Sequence, residues 1–287
     1  MSDPDAMKFG ALTFIWVSPF ATSELWVLGR IAEAGFEIVE VPVEELGVLD
    51  PGALRSGLQE HGLGAVVIGF GTAGRDLSSA DSDERARGMQ YAKGCVELAV
   101  AAGAKLVCGP LHSAVGKARV LEPSERRAER ARAVEGLREV ASFAGERGIS
   151  LALEPLNRFE NDMLNTVAQG LELCSQVEHE NVGLLLDTFH MNIEEKHLGE
   201  AIRQAGERLL HFHASENDRG APGSGHVPWS EVADALRAIE YDAAISIESF
   251  VPTVPGLQTA VSMWRPFFED PDEFARESLA HLRSLFS

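Results

Sequence analysis

Residues 123–154, PSERRAERARAVEGLREVASFAGERGISLALE, hold one complete unit of the plan on which this chain is built. Pro123 and Ser124 are a helix-start signal, and Ala131, Val134, Leu137 and Val140 recur at helical spacing, with the Arg and Glu residues between them left to form a solvated face. The spacing predicts a helix over 124–147. Gly148 then stands where a left-handed C-terminal cap is wanted, and the apolar run 150–154 reads as a strand that closes on a carboxylate.

The same order recurs in both directions. Glycines at helix-to-strand joints appear again at Gly35 in AEAGFEIVEV, Gly62 in QEHGLGAVVI and Gly103 in AAGAKLVCG. Strands are predicted over 9–15, 37–41, 65–68, 105–108, 150–154, 182–186, 209–213 and 243–247. Eight such runs, alternating with helices and apolar nearly throughout as strands buried on both faces must be, define an α/β fold of the (β/α)8 TIM barrel type. A doubly wound sheet is the weaker reading, because FGALTFIWVSP at 9–19 lacks the glycine-rich turn expected after its first strand. No linker or composition shift divides the chain. Residues 7–287 are expected to form one catalytic barrel domain behind a short disordered leader at 1–6.

Composition removes other classes of protein. The 287 residues are 45% hydrophobic and 24% charged, too apolar for a disordered chain, and 25 Lys+Arg against 44 Asp+Glu give a formal charge of −19. That charge repels phosphate backbones and anionic lipid surfaces, so neither nucleic acid nor membrane is an expected partner. Cys95, Cys108 and Cys174 are odd in number and lack CxxC spacing, which argues against a disulfide framework and a thiolate zinc cluster. The start MSDPDAMKFG has no signal-peptide pattern, and no run approaches the roughly 18 apolar residues of a membrane span. A cytoplasmic protein is expected.

In a barrel of this kind chemistry sits at the C-terminal ends of the strands. Glu154, Asp187, His213 and Glu248 occupy the ends of predicted strands 5 to 8, separated by 33, 26 and 35 residues, about one strand-helix unit each. Carboxylates gathered at one rim repel each other unless a cation is present. Three carboxylates with one imidazole and no thiolate suit Mn²⁺, Mg²⁺ or Co²⁺ better than structural Zn²⁺.

The stretches LEPLNRFE (153–160), LLLDTFHMNIEE (184–195), HFHASENDRG (211–220) and IESF (247–250) resemble the ketose 3-epimerases, the D-tagatose and D-allulose 3-epimerase group of the xylose-isomerase-like barrels. The resemblance runs from the first strand through Trp264-Arg265 to the last helix. It implies that Glu154, Asp187, His213 and Glu248 bind one divalent metal ion, Mn²⁺ first among the candidates. Glu154 and Glu248 would also be the catalytic acid/base pair, and Glu160, His190 and Arg219 would hold the O1-to-O3 end of a ketose substrate. A homodimer or homotetramer is the assembly expected. Elementary chemistry agrees, since inverting C3 means removing a proton alpha to a carbonyl from one face and returning one to the other, which calls for two acid/base groups and stabilisation of an enediolate. The same metal set would also serve an aldose-ketose isomerase of the hydroxypyruvate or inosose type, or a C-glycoside-cleaving enzyme of 3-oxo sugars.

Other residues carry weaker expectations. His211 is expected on the opposite face from His213, packed against outer helices. His112 could reach the mouth from the strand-4 loop, and Glu40 at the end of strand 2 could support the site from behind. The 220–226 stretch GAPGSGH reads as a flexible loop. Trp16 and Phe20 are candidates for an apolar wall, and Val115 stands near where related chains can place a tryptophan.

Overall fold

The computed structural model describes residues 7–251 and 261–286, so the leader expected at 1–6 lies outside the described residues. Eight parallel strands close a barrel in chain order: β1 (Phe9–Leu12), β2 (Ile38–Pro42), β3 (Gly64–Ile68), β4 (Leu106–Gly109), β5 (Ser150–Leu153), β6 (Val182–Asp187), β7 (Leu209–Ala214) and β8 (Ile245–Ile247). β1 pairs with β8 through Phe9 and Ile245, which completes the ring. Around it run α1 (Val27–Ala34), α2 (Pro51–His61), α3 (Ser82–Ala102), α4 (Pro123–Gly145), α5 (Val167–Val177), α6 (Thr188–Glu194), α7 (Leu198–Ala205), α8 (Trp229–Ala238) and α9 (Pro271–Phe286). None of them is long and apolar enough to cross a membrane.

The stripe on α4 is shifted from its predicted place. Ala133, Val134, Leu137, Val140, Ala141 and Ala144 are buried, whereas Ala131 is exposed, because the face turned to the strands is centred between the 133/137/144 and 134/141 rows. Pro123 opens the helix and the backbone N–H of Glu122 donates to Glu125 Oε2 at 3.2 Å, a start sealed by a side chain. The helix ends at Gly145, so Gly148 (φ 67°) makes the turn into β5 rather than the cap itself.

Successive strand residues divide between two hydrophobic clusters. Leu151 and Leu153 belong to the large cluster beneath the helices while Ala152 belongs to a smaller one with Leu12, Ile68, Cys108 and Leu185; on β6 Leu184 and Leu186 split from Leu185 in the same way. Alternation makes the smaller cluster the inside of the barrel. Glu154 and Asp187, two residues beyond Ala152 and Leu185, therefore point inward, as Glu40 does two beyond Ile38. Near the base the interior is tight: a Cβ on Gly10 would lie 2.4 Å from Ser246 Oγ.

Strand β7 breaks the simple alternation. Leu184 pairs with Leu209, but Leu185 pairs with His211, so Leu210 is an extra residue and the register shifts by one. Leu209 and Phe212 both face the helices. The bulge consequently turns His211 and His213 inward, level with Leu185 and Asp187.

Candidate active site and metal centre

Glu154 follows β5, Asp187 ends β6, His213 lies on β7 and Glu248 follows β8. Each contributes one oxygen or nitrogen to a group whose members lie within 4.8 Å of one another, three of them buried and Glu248 half-buried. Asp187 is also the N-cap of α6, its Oδ1 accepting from the Phe189 backbone N–H at 2.9 Å, which fixes the carboxylate at the rim.

Arg219 leans over this group from the loop after β7. Its Nη1 donates to Asp187 Oδ2, to Glu248 Oε2 at 2.7 Å and to Ser215 Oγ at 3.2 Å. The residue holds φ at 69°, and its carbonyl accepts from Ser249 Oγ at 2.8 Å. Its loop is pinned by Glu216, whose carboxylate accepts from the backbone N–H groups of Gly223 and Val227 and from Trp229 Nε1 at 2.8–2.9 Å. The stretch read as a flexible loop, 220–226, is therefore tied at Gly223 and again just past its end at Val227 and Trp229, by a buried carboxylate that the sequence did not single out.

These contacts set the two glutamates apart. Burial raises the pKa of both, but Arg219 and then His213 outweigh it at Glu248 and pull that carboxyl down to about 2. At Glu154 burial is reinforced by the charge of Glu248, and its pKa stands well above the usual carboxylate range. Two titratable groups driven in opposite directions are what an acid/base pair requires. The set fits a divalent cation on its own chemistry. Three desolvated carboxylates and an imidazole converge, and Glu154 is the member whose charge the protein's own cations leave uncompensated.

His190, on α6, is buried, and burial followed by the charge of Arg219 pulls its pKa down to about 3, so the ring is neutral. Its Nδ1 accepts from the Asn157 backbone N–H at 3.0 Å, which leaves the proton on Nε2, 3.6 Å from Glu154 Oε1. The Asn157 side chain donates to Glu160 Oε1 at 2.8 Å. Asn157 thus orders two expected substrate contacts, and its position in the NRFE motif was the available signal.

A cavity of about 440 Å³ opens over the group. Glu154, Glu160, His190, Arg219 and Glu248 line its polar end, and Leu12, Phe14, Ile68, Phe70, Val115 and Phe250 are among its apolar walls. Trp16 and Phe20 do not line it. The chain turns into a short 3₁₀ helix at Thr13–Ile15, so Phe14 enters the cavity while Trp16 packs outside and donates Nε1–H to Asp272 Oδ1 at 2.7 Å. His112 is likewise not at the mouth: it is fully buried, and burial lowers its pKa to about 4. A larger depression of about 580 Å³ lies alongside, but two of its cations are already paired there, Lys117 with Asp76 at 2.8 Å and Arg119 with Glu129 at 2.8 Å.

His211 corrects an expectation outright. It is buried inside the barrel with its ring edge-on to that of His213, centroids 5.3 Å apart. Residues two apart on a strand share a face, and the bulge at Leu210 makes that face the inner one.

Arg219→Ala should lower turnover while leaving Mn²⁺ affinity unchanged or higher, since the guanidinium competes with a cation for Asp187 and Glu248. Titration of metal-stripped variant and wild type, with rates at saturating metal, checks this; a weaker affinity in the variant would show that Arg219 supports the metal rather than the substrate.

Residues 28–285 match the family model described as the xylose isomerase-like TIM barrel. The chain is 35% identical over 286 residues to D-psicose 3-epimerase of Agrobacterium fabrum, covering 96% of this chain and 98% of that one. It is 36% identical to L-ribulose 3-epimerase of Mesorhizobium japonicum, covering 96% and 93%. The structure of D-allulose 3-epimerase from Methylomonas sp. in complex with D-allulose superposes with a TM-score of 0.93 at 29% identity, covering 100% of this chain and 99% of that one. The chain belongs to the xylose isomerase-like TIM barrels. Within them it is a member of the ketose 3-epimerase family, and so an enzyme of the isomerase class.

Proposed function

We propose that this protein epimerises free ketoses of the D-tagatose, D-allulose or L-ribulose type at C3, using one divalent metal ion held by Glu154, Asp187, His213 and Glu248. Mn²⁺ is the first candidate, with Mg²⁺ and Co²⁺ as alternatives. The observation that carries the reading is the pairing of Glu154 and Glu248, oppositely shifted, from strands five and eight onto the polar end of one cavity.

When bound, the cation supplies Lewis-acid stabilisation of negative charge on the substrate's oxygens. The protein's residues do the rest. Glu248, held ionised by Arg219, takes the proton from C3 on one face, and Glu154 returns one to the other; the reverse reaction exchanges their roles. His190 offers its Nε2–H as a neutral donor, Arg219 adds fixed positive charge, and Glu160 accepts from substrate hydroxyls. The Phe14, Phe70 and Phe250 end has little to hydrogen-bond with, which supports acceptance of ketoses that differ beyond C4. Three free, buried cysteines are in keeping with a reducing compartment such as the cytoplasm.

Incubation with a panel of ketohexoses and ketopentoses in D₂O is the decisive test. Deuterium should appear at C3 of both epimers with little at C1. Dominant label at C1, or an aldose as main product, would replace this reading with an aldose-ketose isomerase on the same residues.

A further inference from the structure

Beneath the four-residue group, Glu40 of β2 reaches across the barrel interior to two imidazoles of β7. Its Oε1 accepts from His213 Nε2 at 3.0 Å and, in a shorter contact, from His211 Nε2. None of the three is more than 1% exposed. In the closed ring β2 and β7 are separated by β1 and β8, so only a long side chain can make this link.

The geometry restricts where His213 can keep its proton. One carboxylate oxygen that accepts from both rings requires a hydrogen on each Nε2. His213 Nδ1 faces the upper group, where it lies 3.1 Å from Glu248 Oε2 with a hydrogen toward that carboxylate, the hydrogen that a cation bound there would displace. The two rings stand at 82° to each other, so neither can turn without giving up its bond to Glu40. The donor atoms touch the carboxylate directly, so hydrogens fill the gaps in which a second cation would have to sit. Glu40 Oε2 is buried with no hydrogen-bond partner among the described residues, so the two imidazoles on Oε1 are the contacts that hold the carboxylate in place.

We propose that Glu40 is a positioning residue for the metal centre: by bridging His211 and His213 it holds His213 in the Nε2–H tautomer and presents Nδ1 to the site formed with Glu154, Asp187 and Glu248. This rests on the metal reading above. Carboxylates that orient a ligating imidazole typically account for about 10- to 100-fold in metal affinity.

The test is Mn²⁺ affinity of metal-stripped protein by calorimetry, with no turnover involved. Glu40→Leu keeps much of the volume but removes the acceptor, and should bind Mn²⁺ about 10- to 100-fold more weakly and change the visible spectrum of the Co²⁺-loaded protein. Glu40→Gln keeps an acceptor oxygen in place and should recover part of the affinity; if the leucine variant does not fold, a severalfold loss in the glutamine variant is the expected result. Wild-type affinity and an unchanged Co²⁺ spectrum in either folded variant would overturn the proposal, as would lower stability of the stripped protein with no change in affinity, since that describes a packing residue. If wild-type protein itself binds no divalent ion, the metal reading fails and takes this proposal with it.

Discussion

Metal-stripped protein is expected to lose turnover and to melt several degrees lower than the Mn²⁺-loaded form, with both restored by adding the ion back. Asp187 and Glu248 share one guanidinium, while Glu154 is left with a carboxyl pushed above its usual range by burial and by Glu248. A cation that binds only the folded state removes that repulsion. At a free concentration 100 times Kd it stabilises by about 2.7 kcal/mol, on the order of 4–5 °C for a domain of this size. The pH dependence follows in sign. Glu154 carries its proton above the ordinary carboxylate range and a cation beside it competes with that proton, so Mn²⁺ affinity should weaken as pH falls, by up to about tenfold per unit for each proton displaced. Calorimetry in buffers of different ionisation enthalpy should register proton release on binding. Full turnover after exhaustive chelation, or an affinity indifferent to pH, would remove the metal from the scheme.

Glu248→Gln should reduce kcat by roughly 10²-fold or more, the usual scale for losing a group that transfers a proton in the transition state. The same change removes the partner that Arg219 holds at 2.7 Å and that His213 Nδ1 faces at 3.1 Å, so metal content has to be measured on the purified variant. The diagnostic result lies in the exchange pattern. With one of two bases removed, a metal-replete variant should still exchange C3 hydrogen with D₂O in one epimer, through Glu154, while producing almost none of the other. Glu154→Gln should show the complementary pattern with the opposite epimer. Equal residual exchange from both epimers in either variant would mean that a single group serves both faces of C3.

Much of this was legible without coordinates because barrel strands are short, apolar and bounded by glycine turns. Gly35, Gly62 and Gly103 do cap their helices in left-handed conformation, and Glu154, Asp187, His213 and Glu248 stand at strand ends in consecutive units. Periodicity is a local property of the chain, and so are capping and the spacing from one strand end to the next. Less visible were side chains whose role depends on a distant partner. Glu216 reads as one acidic residue among many, yet it ties down the loop that carries Arg219; Asn157 looks like any turn asparagine, yet it decides the tautomer of His190.

The barrel, the number of its strands and which four strands carry ionisable residues at their mouths can all be read from patterns a few residues long. Tertiary structure alone decided which way those residues point and what lies behind them. Leu210 bulges out of register with β6, and that single extra residue turns His211 and His213 into the barrel, while the 3₁₀ turn after β1 sends Phe14 inward and Trp16 out. Glu40 meets its imidazoles only because the ring closes, bringing residues 171 and 173 positions away in the chain into hydrogen-bond contact. Register and closure are set by the packing of the whole ring, and no local stretch of sequence contains them.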